Sequence, residues 1–495
     1  MSAEEEGQGA PAAEAATTTA EAGVLDQILD TMRARSDDQR TWGRDLVKEL
    51  VAQLLDPKLI VKKDTEKTIN ARIGQIDALL SAQLTAIMHH PEFAKLEGSW
   101  HGLHHLVYQS ETGSSLKIRV LNTSKKDLLN DLEKASEFDQ SALFQRVYEA
   151  EYGMFGGEPY GALVGDFEFT NGSEDMALLE RISNVAAAAH APFIGAVNPE
   201  MFGLQSYTDI GKIRDMEKTV DTLEHVKWKS FRDTEDSRYV ALVMPRTLAR
   251  LPYGNKTKPV EEFDFEEKID SHNDFCWSNA AFAYGTRLTD AFAKSGWCAA
   301  IRGVEGGGLV EGLPAYTFKD EDGDVVLKCP TEVAITDRRE AEMDKLGFIA
   351  LVHKKGSDQA AFFGAASTQK AKKYDRDAAN ANAALSTKIN YMLCTSRFAH
   401  YLKAMARDKI GAFMEREECE SWLNRWISNY VLENPESAGQ KARAEKPLRA
   451  ARVMVEAVKG KPGHYQAVAH LRPHFQLEAL SADLRLVAEL PAAKG

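Results

Sequence analysis

The stretch "IRGVEGGGLVEGLP", residues 301–314, packs five glycines into twelve residues directly behind the apolar run "WCAAI". Glycine clusters can cradle phosphate. A dinucleotide site needs G-x-G-x-x-G with a helix opening behind it, and a P-loop needs Gly-Lys-Ser/Thr at its end, because backbone amides and a helix N-terminus together hold the anion. Here Gly303, Gly306, Gly307 and Gly308 read G-x-x-G-G-G, no Lys follows, and Gly312 with Pro314 argues against a helix where a phosphate needs one. Glu305 and Glu311 add repulsion. The run is expected to be a loop that needs unusual backbone angles or close packing. A nucleotide-binding oxidoreductase using residues 303–308 is the enzymatic alternative.

His101, His104 and His105 in "SWHGLHHLVY" have the i, i+3, i+4 spacing that can point two imidazoles at one metal. No H-E-x-x-H pattern and no obvious third ligand accompany them, so they read as helix-surface histidines, with a metal-binding adaptor as a further alternative. His400 in "SRFAHYLK" lies in a largely apolar helix and is expected to be hydrogen-bonded and structural, with Arg397 beside it pairing with a carboxylate. Neither a G-x-S-x-G elbow nor an S-x-x-K set is present. The carboxylates of "EEFDFEEKID" read as a solvated face. These motifs assign no catalytic residue, cofactor or metal, and the chain reads as a non-enzyme.

Composition points the same way. The 495 residues are 44% hydrophobic and 27% charged, ordinary globular values, and no apolar run approaches the roughly 18 residues of a membrane span. A net charge of −13, with Lys and Arg spread along the chain, would repel a nucleic-acid backbone. Five cysteines lie far apart with no C-x-x-C pair, which fits a reducing cytoplasm. The opening 23 residues are acidic, without Lys or Arg and without an apolar stretch, so they read as a disordered tail and not as a signal peptide.

The elements follow from periodicity. "GVLDQILDTM" sets Leu25, Ile28, Leu29 and Met32 on one helical stripe, and "TWGRDLVKELVAQLL" does the same with Trp42, Leu46, Leu50 and Leu54. Ile69, Ile73, Ile76, Leu80, Leu84 and Ile87 follow the 4-3-4-4-3 spacing of a near coiled-coil seam, which needs a partner helix. Further on, the pattern alternates between strands and crossover helices. "SLKIRVLN", "YGALVGDFEF", "APFIGAVN" and "SRYVALVMP" read as strands, 124–151, "SEDMALLERISNVAAAAH" and 275–295 as helices, and "WCAAIRG" continues the layer. "TDRREAEMDKLG" is a helix capped by Asp337 and stopped by Gly347, and a helical region runs from 378 to 430. "RAARVMVEAV", "HYQAVAHLR", "HFQLEAL" and "DLRLVAEL" end the chain in β. In the last two, Phe475 and Leu477, then Leu484, Leu486, Ala488 and Leu490, alternate with mainly polar residues, as in half-buried strands at a sheet edge that could accept strands from another subunit.

With those elements in place, "FCWSNAAFAYGTRLTDAFAKSGWCAAIRGVEGGGLVEGLPAYTF", "CPTEVAITDRREAEMDKLGFIALVH", "SRFAHYLKAMARDKIGAF", "GKPGHYQAVAHLRPHFQLEAL" and "LRLVAELP" occur in the order that marks one family. From about Trp42 onward the sequence resembles the large sheath subunit of the bacterial type VI secretion system, the TssC/VipB family. The resemblance implies a structural protein of mixed α/β fold, as in contractile tail sheath proteins: a helical N-terminal region, central α/β layers, and C-terminal helices with strands forming an intersubunit sheet. It implies residues 1–23 as the acidic tail, 24–110 as the helical region with unfoldase handle and small-subunit contacts, 111–355 as the central sheath domain and 356–495 as the C-terminal core. Partners implied are a small sheath subunit (TssB/VipA-like), further copies of the chain in a helical polymer, an inner tail tube, a baseplate, and an AAA+ unfoldase (ClpV-like). Phe475, Leu477, Leu480, Leu484, Leu486 and Leu490 match the family's interlocking strands, and Leu25, Ile28, Leu29 and Met32 match its unfoldase handle. The family usually has Gly where Ala479 stands, which alters the turn between the last two strands.

Overall fold

"FIGAV" and "VALVM" offer no polar side chain to turn toward water, so as strands they are stable only when covered on both faces. The computed structural model describes residues 37–54, 65–319, 322–411, 414–458 and 464–476. In it these runs are β2 (Phe193–Val197) and β3 (Val240–Met244), every residue of both buried. Around them β1 (Leu163–Phe169), β4 (Leu309–Val310), β5 (Phe348–His353) and β6 (Ala360–Phe362) complete a six-stranded sheet of order β1-β2-β3-β5-β6-β4. The first four strands in that order run parallel, and β6 is antiparallel to both β5 and β4. Two helices pack on the sheet, α5 (Ser173–Ala189) and α6 (Ala280–Ser295), as crossover connections between parallel strands require. They follow α1 (Asp37–Leu54), α2 (Thr65–Met88), α3 (Pro91–Tyr108) and α4 (Lys125–Lys134) in the chain.

The chain divides into two compact units, residues 1–81 with 261–265 and residues 82–260 with 266–495. In the first, the seam foreseen on α2 faces outward: Ile73, Ile76 and Leu80 are all exposed. In the second, α3 lies against the 277–282 segment through two glycines one helical turn apart. A Cβ on Gly98 would sit 2.2 Å from the Trp277 carbonyl oxygen, and one on Gly102 would sit 2.2 Å from Ser278 Oγ. Close approach of this kind tolerates no side chain.

α7 (Asp337–Leu346) leads into β5, and behind the sheet in sequence come α8 (Asp377–Ser386), α9 (Ile389–Asp408) and α10 (Arg416–Ser428), then the ribbon β7 (Leu448–Ala457) and β8 (Tyr465–Pro473). The ribbon has its own core, in which Val453 and Val455 meet Leu423 and Ile427 of α10 and Phe398 of α9 stacks on Trp297 at 4.1 Å.

Several expectations change. "SLKIRVLN" forms no strand, because no neighbouring strand offers it hydrogen bonds, and "WCAAIRG" is irregular for the same reason. Thr336, not Asp337, caps α7: its hydroxyl accepts from the Arg339 amide at 3.4 Å, and Asp337 falls inside the first turn, where its charge suits the helix dipole. The helical region 378–430 is made of three helices, α8, α9 and α10. Gly347 does stop α7, at φ 86°.

Candidate functional site

An isolated two-stranded ribbon has two unpaired edges, and each is a template for another chain. In this structure one of them is closed. Asn424 of α10 donates from Nδ2 to the Val453 carbonyl at 2.7 Å, and its Oδ1 accepts the Val453 amide at 2.9 Å. One turn earlier, Glu420 accepts the Val455 amide at 3.0 Å. Side chains of α10 therefore mimic a strand along β7. Among the described residues β8 pairs only with β7, so its outer edge carries no strand. An Asn in a helix beside the buried Leu423 and Ile427 was the available sequence signal, since Asn is poor in helix interiors unless its amide is engaged.

Beyond β8 the chain leaves from a fixed point. The Gln476 amide donates to the Tyr391 hydroxyl at 3.0 Å, and Asn390 Nδ2 donates to Gln476 Oε1 at 3.1 Å. Phe475 is set edge-on to Tyr391 at 6.3 Å, with the Arg472 guanidinium 5.7 Å above its ring. Phe475 is the one predicted strand residue among those described. Leu477, Leu480, Leu484, Leu486 and Leu490, and the handle residues Leu25, Ile28, Leu29 and Met32, lie outside the described residues.

The glycine run lies beside Gln476: a Cβ on Gly306 would sit 3.2 Å from its Nε2. Gly303 and Gly307 have φ of 72° and 91°, and a Cβ on Gly308 would lie 2.4 Å from the Phe362 carbonyl oxygen. Three of its amides serve the protein itself: Gly303 donates to Phe362 at 2.7 Å, Gly308 to Gly303 at 2.8 Å and Arg302 to Gly306 at 3.2 Å. Donors committed to carbonyls are not offered to a phosphate, so the loop gives the oxidoreductase alternative no support.

The histidines separate. His104 stacks on Tyr108 at 4.0 Å, His101 lies 3.7 Å from Glu97, and His105 is half-buried with its pKa lowered by burial and by Arg287. The described residues contain no cluster of three metal-ligating side chains. His400 is buried and bonded through Nε2 to the Ala189 carbonyl at 2.8 Å; burial drives its pKa down to about 4 although that hydrogen bond opposes the shift. It is structural, as expected. Arg397 instead donates to the Pro159 carbonyl at 3.1 Å and lies over the Tyr401 ring.

The carboxylates of 261–270 are not all solvated. Glu267 is buried, taking Arg250 at 2.7 Å and the Tyr253 amide at 2.9 Å, with His89 at 3.1 Å. Arg250 also grips Glu97 of α3. Burial opposes the charge on Glu97, but hydrogen bonds from His101 and Arg250 prevail and hold its carboxyl at about 2. Burial and Glu97 push the nearby Cys276 thiol up to about 12, far from a reactive thiolate. The network locks α3 in place and leaves its outer face, Phe93, Leu96, Trp100, Val107 and Tyr108, exposed. No described helix is long and apolar enough to cross a membrane.

Two family models match the chain one after the other: the EvpB/VC_A0108 tail sheath N-terminal domain over residues 70–369, and the EvpB/VC_A0108 tail sheath gpW/gp25-like domain over 378–490. The chain is 48% identical over 471 residues to the type VI secretion system sheath protein TssC1 of Pseudomonas aeruginosa (strain PAO1), which spans 94% of this chain and 95% of that protein. Among solved structures, the baseplate of the anti-feeding prophage superposes with a TM-score of 0.34 and 10% identity over 63% of this chain and 66% of the other. The contracted sheath complex of an extracellular contractile injection system superposes with a TM-score of 0.33 and 10% identity over 62% and 68%. Superpositions that loose decide nothing about function.

Proposed function

This chain belongs to the EvpB/VC_A0108 tail sheath family, and we propose that it works there as the large structural subunit of a type VI secretion sheath. It pairs in the cytoplasm with a small sheath subunit, and the pairs polymerise around an inner tail tube from a baseplate. A head-to-tail contact repeated by a screw operation builds a tube, and a tube whose subunits have two packings can store work. Contraction then propels the inner tube, and no catalytic residue, cofactor or metal is required. The observation that carries this reading is the pair of family matches, 70–369 and 378–490, which run through nearly the whole chain in order.

Residues 24–110 serve small-subunit contact and recycling, 111–355 form the central sheath body and 356–495 the interlocking core. The outward stripes of α2 and, separately, of α3 support the first assignment. The β8 edge, which pairs with no strand among the described residues, and the anchored Gln476 support the last, with Phe475 to Leu480 and Leu484 to Leu490 as the linking strands. Leu25, Ile28, Leu29 and Met32 are the handle for an AAA+ unfoldase that dismantles contracted sheaths.

Electron microscopy of the chain co-expressed with the small subunit tests this. Long tubes are expected from the full chain, and soluble pairs without tubes from a chain lacking residues 474–495. Discrete particles from the full chain, or normal tubes from the truncation, would overturn the subunit role or the strand link respectively.

A further inference from the structure

Residues 115–122 have a strand's sequence without a strand's partner. Leu116 and Ile118 are half-buried while Lys117 and Arg119 are exposed, and Val120 and Leu121 stand 68% and 50% exposed. Among the described residues no main-chain group of 117–123 makes a backbone–backbone hydrogen bond. Side chains nevertheless pin the segment. Lys117 pairs with Glu158, Arg119 with Glu151 and Glu158 and over the Tyr160 ring at 5.6 Å, and Lys125 donates to the Glu168 carbonyl at 2.8 Å. Its position is held while, among the described residues, the main-chain groups from Lys117 onward stay unspent, which lowers the ordering cost of adding a strand.

We propose that residues 116–122 become a β-strand only in the assembled particle, by main-chain pairing with an extended segment of the small sheath subunit. This rests on the sheath reading above. The segment follows α3 after a short turn, and α3 exposes Leu96, Trp100, Val107 and Tyr108, so a partner lying along that helix is led directly onto it. A second copy of the same strand is the wrong occupant. Antiparallel self-pairing is two-fold and closes a dimer, whereas a tube needs open, head-to-tail contacts.

Hydrogen–deuterium exchange on the co-purified wild-type complex tests the pairing. Since the amides of 117–122 have no main-chain partner among the described residues, protection of about a hundredfold or more over free-chain exchange is expected from the second polypeptide. Exchange at the unprotected rate in tubes would overturn the inference and leave the sheath reading standing. A wild-type pair that never assembles would overturn the sheath reading and this inference with it. A benzophenone photo-cross-linker placed at Val120, which inserts into any nearby C–H bond, identifies the occupant: cross-links to the small subunit are expected, and cross-links only to another copy of this chain would refute it. Ile118→Pro with Val120→Pro removes two donors that make no main-chain bond among the described residues, so the chain's own melting should hold while recovery of the complex falls at least about tenfold. Undiminished recovery counts against the proposal.

Discussion

Replacing Asn424 with alanine removes the side chain that closes the β7 edge. Two hydrogen bonds go at once, 2.7 and 2.9 Å, and both end on the main chain of Val453, a fully buried residue. Each bond is worth about 1 kcal/mol net, and a buried N–H or C=O left unpaired costs about 1–3 kcal/mol, so a loss of about 3 kcal/mol is expected once some water reaches the edge. Because about 1.4 kcal/mol is a factor of ten, the Val453 amide should exchange with deuterium about a hundred times faster. Glu420 still holds the Val455 amide, so that site should change much less. Asn424→Asp keeps an acceptor for the amide but sets a carboxylate against the Val453 carbonyl, and should be no better than alanine. Native-state exchange read residue by residue across 448–457 is the assay. An unchanged rate at Val453 in Asn424→Ala would show that α10 does not close this edge.

His400 makes stability depend on pH. Its folded pKa of about 4 lies below the free value, so its contribution is complete above about pH 6.5 and is lost as pH falls toward 4, about 3 kcal/mol in all. His400→Gln should flatten the denaturation midpoint between pH 7 and 4.5, and parallel pH profiles would contradict this. Arg250→Met strands the buried Glu267 and should cost about 3–5 kcal/mol, seen as a drop in melting temperature and soluble yield, with part restored by adding Glu267→Gln. Gly308→Ala, whose Cβ would strike the Phe362 and Arg302 main chain, should destabilise far more than Gly356→Ala, which meets open space and costs about 1 kcal/mol for its positive φ. Equal melting temperatures for the two would refute the packing role of the glycine loop.

Much of the frame is legible residue by residue. "FIGAV" and "VALVM" can only be central strands, Gly347 can only end a helix, and the glycine run lacks the spacing of a phosphate loop before any coordinate is known. The family, too, is readable from long motifs in order, and the matches over 70–369 and 378–490 agree. What stayed hidden is the identity of partners distant in sequence. Glu267 and its neighbour Glu266 look alike in the chain, yet only the first pairs in the interior with Arg250, which also holds Glu97. "SLKIRVLN" has the period of a strand, but a strand is made by the hydrogen bonds of its neighbour, and none arrives from within the described chain. The ribbon's two edges are equivalent in pattern until α10 lays Asn424 along β7, while among the described residues no strand pairs with the outer edge of β8. Periodicity is a local property and fixes which face of an element is apolar; pairing is a long-range one, and only the folded chain chooses which face or edge is covered.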